Sequence, residues 1–131
     1  MAIEAHDLLR LANSYGAQVG DEASRRSTIS RAYYASYHRC RRWEKTLPER
    51  GRARTPGGVH DRLIQRLRYP NAQCDEQQKE RSIAVSKLLE ASFDRRISAD
   101  YELWKCIDEK TVIQQLEATR QVFEQCAGAD S

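Results

Sequence analysis

An all-α fold is the expectation for this chain, and three observations carry it. Only six glycines and three prolines punctuate 131 residues. β-Branched residues are few and scattered, and apolar residues recur at three-and-four spacing along several stretches, the period of a helix that buries one face. A chain of this length forms one domain, since a second core would not fit.

The elements follow in order. Ala5, Leu8, Leu9 and Ala12 predict a first helix over Ile3–Ser14, before Gly16 and Gly20 loosen the chain. Asp21 and Glu22 place negative charge at the start of a long helix, Ala23 to about Thr46, which Leu47-Pro48 ends. Residues 48–58 include the string ERGRARTPGG, which reads as a mobile basic loop. A short helix follows from Val59 to Arg68 and must stop at Tyr69-Pro70-Asn71. Asp75 with Gln78 three residues later is a capping box. It opens a helix carried to the nineties by Ile83, Val85, Leu88, Leu89, Ser92 and Phe93. Asp108 precedes a last helix striped by Val112, Leu116, Thr119 and Phe123, with Cys126 beside the stripe and Gly128 beyond its end. Four main helices and one short extra helix make a bundle, a single domain over residues 1–131 with its core at about 21–126.

No stretch approaches the roughly 18–20 apolar residues of a membrane span. The start, MAIEAHDLLRL, has early acids and neither an apolar core nor a small-residue cleavage site. The expectation is a soluble cytoplasmic protein without a membrane partner. Cys40, Cys74, Cys106 and Cys126 stand too far apart for a paired zinc motif and read as free thiols. Of His6, His38 and His60, only His38 falls near a cysteine, so neither a metal site nor a cofactor is expected.

Charge is unevenly distributed. Residues 1–24 hold one basic and four acidic groups, a net −3; residues 25–68 hold thirteen and three, a net +10; residues 69–131 hold eight and twelve, a net −4. A basic middle of this kind suits a polyanion such as RNA. It also suits neutralisation by the acidic remainder of the same fold or by an acidic partner protein.

Along the long helix Ile29, Tyr33, Ser36, Cys40, Trp43 and Leu47 recur at intervals of four and three, a seam that packs against the other helices. Arg31 and His38, seven residues apart, lie on the opposite side with Tyr34, Ala35, Arg42 and Lys45. An aromatic and a small residue among these cations suggest a second interface. Under two-fold symmetry it would bring two arginines and two histidines together. Tyr33, Tyr34 and Tyr37 read as packing residues, Arg96 as an i,i+4 surface partner of Asp100, and His6 and His60 belong to no constellation.

The string Ser30-Arg31-Ala32-Tyr33-Tyr34-Ala35-Ser36-Tyr37-His38, followed by Ala99-Asp100-Tyr101, resembles the small prokaryotic HEPN domains (higher eukaryotes and prokaryotes nucleotide-binding), which often read SRAYYAxxH and then ADY. The resemblance spans about residues 21–126. It implies an up-and-down four-helix bundle and a homodimer whose arginine and histidine line a cleft between protomers and cleave RNA without a metal. On this chain those residues are Arg31 and His38. The histidine would move a proton at the 2′-hydroxyl or leaving oxygen, and the arginine would hold the scissile phosphate. Ser30, Tyr34, Asp100 and Tyr101 would support the pair, while Arg39, Arg41, Arg42, Lys45, Arg52 and Arg54 would hold the RNA backbone. The chain departs from the family's nucleases at Ala32, where they carry a polar residue. The implied role is the toxin of a toxin–antitoxin or defence pair. The alternative is a non-catalytic dimer that binds nucleotide or docks a nucleotidyltransferase, its antitoxin partner in a paired system.

Overall fold

The computed structural model describes Arg10 and residues 21–127. Four helices occupy residues 21–127: α1 (Glu22–Glu44), α2 (Val59–Arg68), α3 (Glu76–Tyr101) and α4 (Glu109–Ala127). No strand occurs among the described residues, so the all-α expectation holds. The helix expected over Ile3–Ser14 lies outside them, apart from Arg10. Among the described residues no helix is long and apolar enough to cross a membrane.

The helix starts are built as the sequence indicates. The Asp21 carboxylate accepts from the Ser24 backbone N–H at 2.7 Å. Asp75 and Gln78 close a reciprocal capping box at 2.7 and 2.9 Å, and Asp108 accepts from the Thr111 N–H at 2.9 Å. Each satisfies donors that the first helical turn leaves unpaired.

Contacts fix the directions of the three long helices. Ile29 pairs with Gln115, Ala32 and Ser36 with Thr119, and Cys40 with Cys126, an order that rises along both helices and makes α1 and α4 parallel. The start of α1 instead meets the end of α3, through Ser30 and Asp100, and Arg95 and Arg81 of α3 meet Gln115 and Gln125 in reverse order. The helix α3 therefore runs antiparallel to both. The α1 seam is the core: Ile29, Tyr33, Ser36, Cys40 and Trp43 are fully or almost fully buried, with Leu47 half-buried at its end. Val85 and Leu89 of α3 and Val112, Val122 and Cys126 of α4 close over it. A polar chain threads this interior: Gln115 donates to the carbonyls of Ile29 and Ser92, and Thr119 to that of Ala32. Its bonding removes the penalty of burying those groups. The four cysteines are free thiols.

Two helix readings need correction. The helix expected to stop in the nineties runs on to Tyr101, because Arg26 of α1 donates to the carbonyls of Ser98, Ala99, Glu102 and Lys105 and so completes its C-terminus. Ile83 is 37% exposed, outside the core stripe expected of it.

The segment expected to be a mobile loop is fastened at several points. The Arg54 and Thr55 N–H groups donate to Gln65 Oε1 at 2.7 and 2.9 Å, and Gln65 Nε2 donates to Asp61 and Thr55. Arg54 lies over the Tyr69 ring, 3.7 Å from its centroid. Glycine is required at one point: a Cβ on Gly51 would stand 2.1 Å from the Arg66 carbonyl oxygen and 2.3 Å from that of Tyr69.

Candidate functional site

The short helix α2 is held by Leu63, Ile64 and Leu67, which are buried at 3% exposure or less. His60 stands three, four and seven residues before them, on the same helical face, so their burial turns the imidazole inward over α1. Its Nδ1 shares a 2.7 Å hydrogen bond with the Tyr33 hydroxyl. Its ring lies 4.6 Å from that of Tyr37 and 5.5 Å from that of Phe93, measured between centroids.

His38 reaches the other side of the same aromatic group. Its imidazole is exposed, 5.2 Å from the Tyr37 ring and 6.4 Å from the Tyr34 ring. Partial desolvation holds His38 below the ordinary histidine value, and the Arg41 cation adds to the effect. Desolvation lowers His60 in the same way, followed by the positive fields of Arg96 and His38. Two imidazoles biased toward the neutral form thus flank Tyr37, while burial pushes the Tyr33 phenol upward and keeps it protonated.

Arg96 of α3 ties these groups together. Its Nε donates to Asp100 at 2.8 Å and its Nη2 to the Tyr34 hydroxyl at 3.0 Å, with the Tyr101 hydroxyl at 3.5 Å. Ser30 donates to the same Asp100 oxygen at 3.2 Å. The supporting set implied by the resemblance, Ser30, Tyr34, Asp100 and Tyr101, therefore converges on one guanidinium. The i,i+4 pairing of Arg96 with Asp100 is present, but this arginine is a hub with only 11% of its side chain exposed. Tyr33 and Tyr37 are buried packing residues, and Tyr34 is half-buried against the hub.

Arg31 and His38 share a side of α1 but stand two turns apart, a rise of roughly 10 Å. Arg31 is half-buried and its Nε donates to Ser27 Oγ at 3.3 Å. Ala35, expected on the same outer surface, is fully buried and belongs to the core, so that surface is narrower than the sequence suggests. Ala32 is also fully buried, its carbonyl accepting from Thr119 of α4. The departure from the family's nucleases thus falls in the interior.

The cations of the basic middle divide into two groups. Arg25 donates to the Ile107 carbonyl, Arg26 completes α3, Arg66 forks onto Glu44 at 2.9 and 3.1 Å, and Arg68 pairs with Glu90. These serve the fold. Arg41, Arg42, Lys45 and Arg52 are exposed, Arg41 lying 5.7 Å from the Tyr37 ring centroid, and Arg39 is half-buried. Arg54 combines an exposed position with its stack on Tyr69.

Sequence reasoning missed His60 and the centrality of Arg96. The signal for His60 was present in its register with Leu63, Ile64 and Leu67. The i,i+4 spacing marked only its pairing with Asp100; nothing local marked Arg96 as a hub, because Tyr34 reaches it from α1. Comparison of the chain with protein-family models, with curated proteins and with solved structures finds no match.

Proposed function

We propose that this protein binds RNA and cleaves it, with His38 as the proton-transferring group, in a HEPN-like homodimer that acts as the toxin of a paired system. The observation that carries the reading is an exposed imidazole biased toward its neutral form beside the exposed cations Arg41 and Arg42. A neutral imidazole takes the proton of a 2′-hydroxyl, and its conjugate acid delivers one to the departing oxygen. Arg31, on the same side of α1, would hold the phosphate, and its guanidinium stabilises charge gathering on the phosphoryl oxygens. The exposed Arg42, Lys45 and Arg52 attract the backbone.

The test is induction of wild type and His38→Ala in a bacterial host, with growth and total RNA followed in time. Growth arrest and RNA cleavage in the wild type alone support the reading, with helicity and assembly unchanged in the variant. Intact RNA in both strains overturns it.

A second reading, a non-catalytic module that docks a nucleotidyltransferase, draws on a different feature. Leu103 and Trp104 are 73% and 78% exposed beside Tyr101 at the end of α3, an apolar group suited to a protein contact. Under that reading Trp104→Ala abolishes binding of a nucleotidyltransferase partner, and His38→Ala has no effect.

A further inference from the structure

Away from the histidines, the fastened loop and the outer side of α2 enclose a concavity of about 600 Å³, lined by Glu49, Arg50, Arg52, Arg62, Arg66 and Asn71. Its floor is fixed. Gly51 is pressed onto the carbonyls of Arg66 and Tyr69 where no Cβ would fit. The Glu49 carbonyl lies 3.8 Å from Cys74 Sγ, which points its S–H toward it. These contacts hold Arg50 and Arg52, on either side of Gly51, at the same opening as Arg62.

The charges there are unequal in kind. Arg66 is neutralised by its fork onto the buried Glu44. Arg50, Arg52 and Arg62 are exposed, and none pairs with a carboxylate among the described residues. Glu49 is the single acid in the lining, so the opening carries an excess of two positive charges. Three guanidiniums at one opening with a single carboxylate among them repel one another, and an anion relieves that repulsion. Each presents a planar fork of donors that matches the oxygens of a phosphate. The lining contains no aromatic side chain on which a base would stack.

We infer that Arg50, Arg52 and Arg62 form a binding site for consecutive phosphate groups, those of an oligophosphate or of an RNA backbone, recognised by charge and geometry and not by base. Arg62 lies outside the basic stretch that sequence reasoning selected. The inference deepens the proposed function by naming what this second surface holds, and it rests on that reading only for the RNA source of the phosphates.

Titration calorimetry of the full chain tests it, with inorganic tripolyphosphate as one probe and a ten-nucleotide oligouridylate as the other, at low salt. Wild type, Arg52→Gln, Arg62→Gln and Lys110→Ala are compared, Lys110 being an exposed cation at the start of α4. The expected result is a loss of affinity of about tenfold or more in each arginine variant, the scale of a charged hydrogen bond, with Lys110→Ala unchanged. Tripolyphosphate binding that is lost in the variants identifies an oligophosphate site, and oligouridylate binding alone, lost in the same variants, identifies the RNA backbone. Absence of binding to both probes overturns the site, as does an equal loss in Lys110→Ala. RNA cleavage that requires His38 but is indifferent to Arg62→Gln, with no change in affinity, defeats this inference and leaves the nuclease standing. Affinity lost in Arg62→Gln from a protein that cleaves nothing does the reverse.

Discussion

The guanidinium of Arg26 donates to the carbonyls of Ser98, Ala99 and Glu102 at the C-terminus of α3, where the last turn of a helix runs short of backbone donors. Glu22, one turn before it on α1, lies 3.6 Å away and also accepts from the Ile107 N–H. One i,i+4 pair thus joins the start of α1 to the end of α3 and to the connection beyond. Arg26→Met keeps the apolar stem and removes every donor. The expected cost is about 1–3 kcal/mol, the penalty of leaving partly buried acceptors unpaired. Urea unfolding reads it as a lower midpoint at unchanged slope, and a midpoint equal to wild type would contradict the capping role. Arg26 reads in the sequence only as one more charge of the basic middle, because the carbonyls it caps lie more than seventy residues away.

At the scale of elements, the loop before α2 shows how a glycine-rich basic string becomes ordered. Gln65 is buried in α2 and bonds with both Arg54 and Thr55, so the loop backbone borrows a side chain in place of a sheet or helix partner. Gly51 makes the close approach to α2 feasible. Gly51→Ala drives a methyl group into backbone oxygens that cannot move without distorting the end of α2. The expected cost is about 1–3 kcal/mol, as for other overpacked sites. It is measured by thermal unfolding, with amide exchange at Arg54 and Thr55 reporting loosening of the loop; unchanged stability and unchanged protection would refute the tight seat. Helix starts, the α1 seam and the extent of α2 were legible because caps, prolines and apolar period are local signals. The end of α3, the burial of Ala35 and the exposure of Ile83 were not, because each depends on which neighbour arrives.

Across the whole molecule the two histidines link stability to acidity. Both sit below the ordinary value of 6.5, so the folded state favours their neutral forms more than the unfolded chain does. The unfolded chain therefore binds protons first as the pH falls. The histidines' contribution is fully present above 6.5 and is lost as the pH drops through their folded values. Carboxylates such as Asp21 and Asp108, held low first by backbone N–H groups, lose their contribution only in the lower carboxylate range. The urea midpoint of the wild type is expected to fall between about pH 7.5 and pH 5.5, and that of a His38→Gln, His60→Gln double variant to fall less. Equal falls would show that the desolvation of these imidazoles carries no stability.

The sequence by itself determined the all-α class, the helix starts, the buried seam of α1 and the concentration of cations in its middle third. These follow from local capping chemistry and from the helical period, which act within a few residues. Tertiary structure alone decided which cations serve the fold and which face solvent. It also turned His60 toward Tyr33 and Tyr37, and gathered Ser30, Tyr34, Asp100 and Tyr101 around Arg96. The reason is physical: a guanidinium or imidazole takes its role from the acceptor that packing brings within about 3 Å, and packing is set by the burial of apolar faces far apart in the chain.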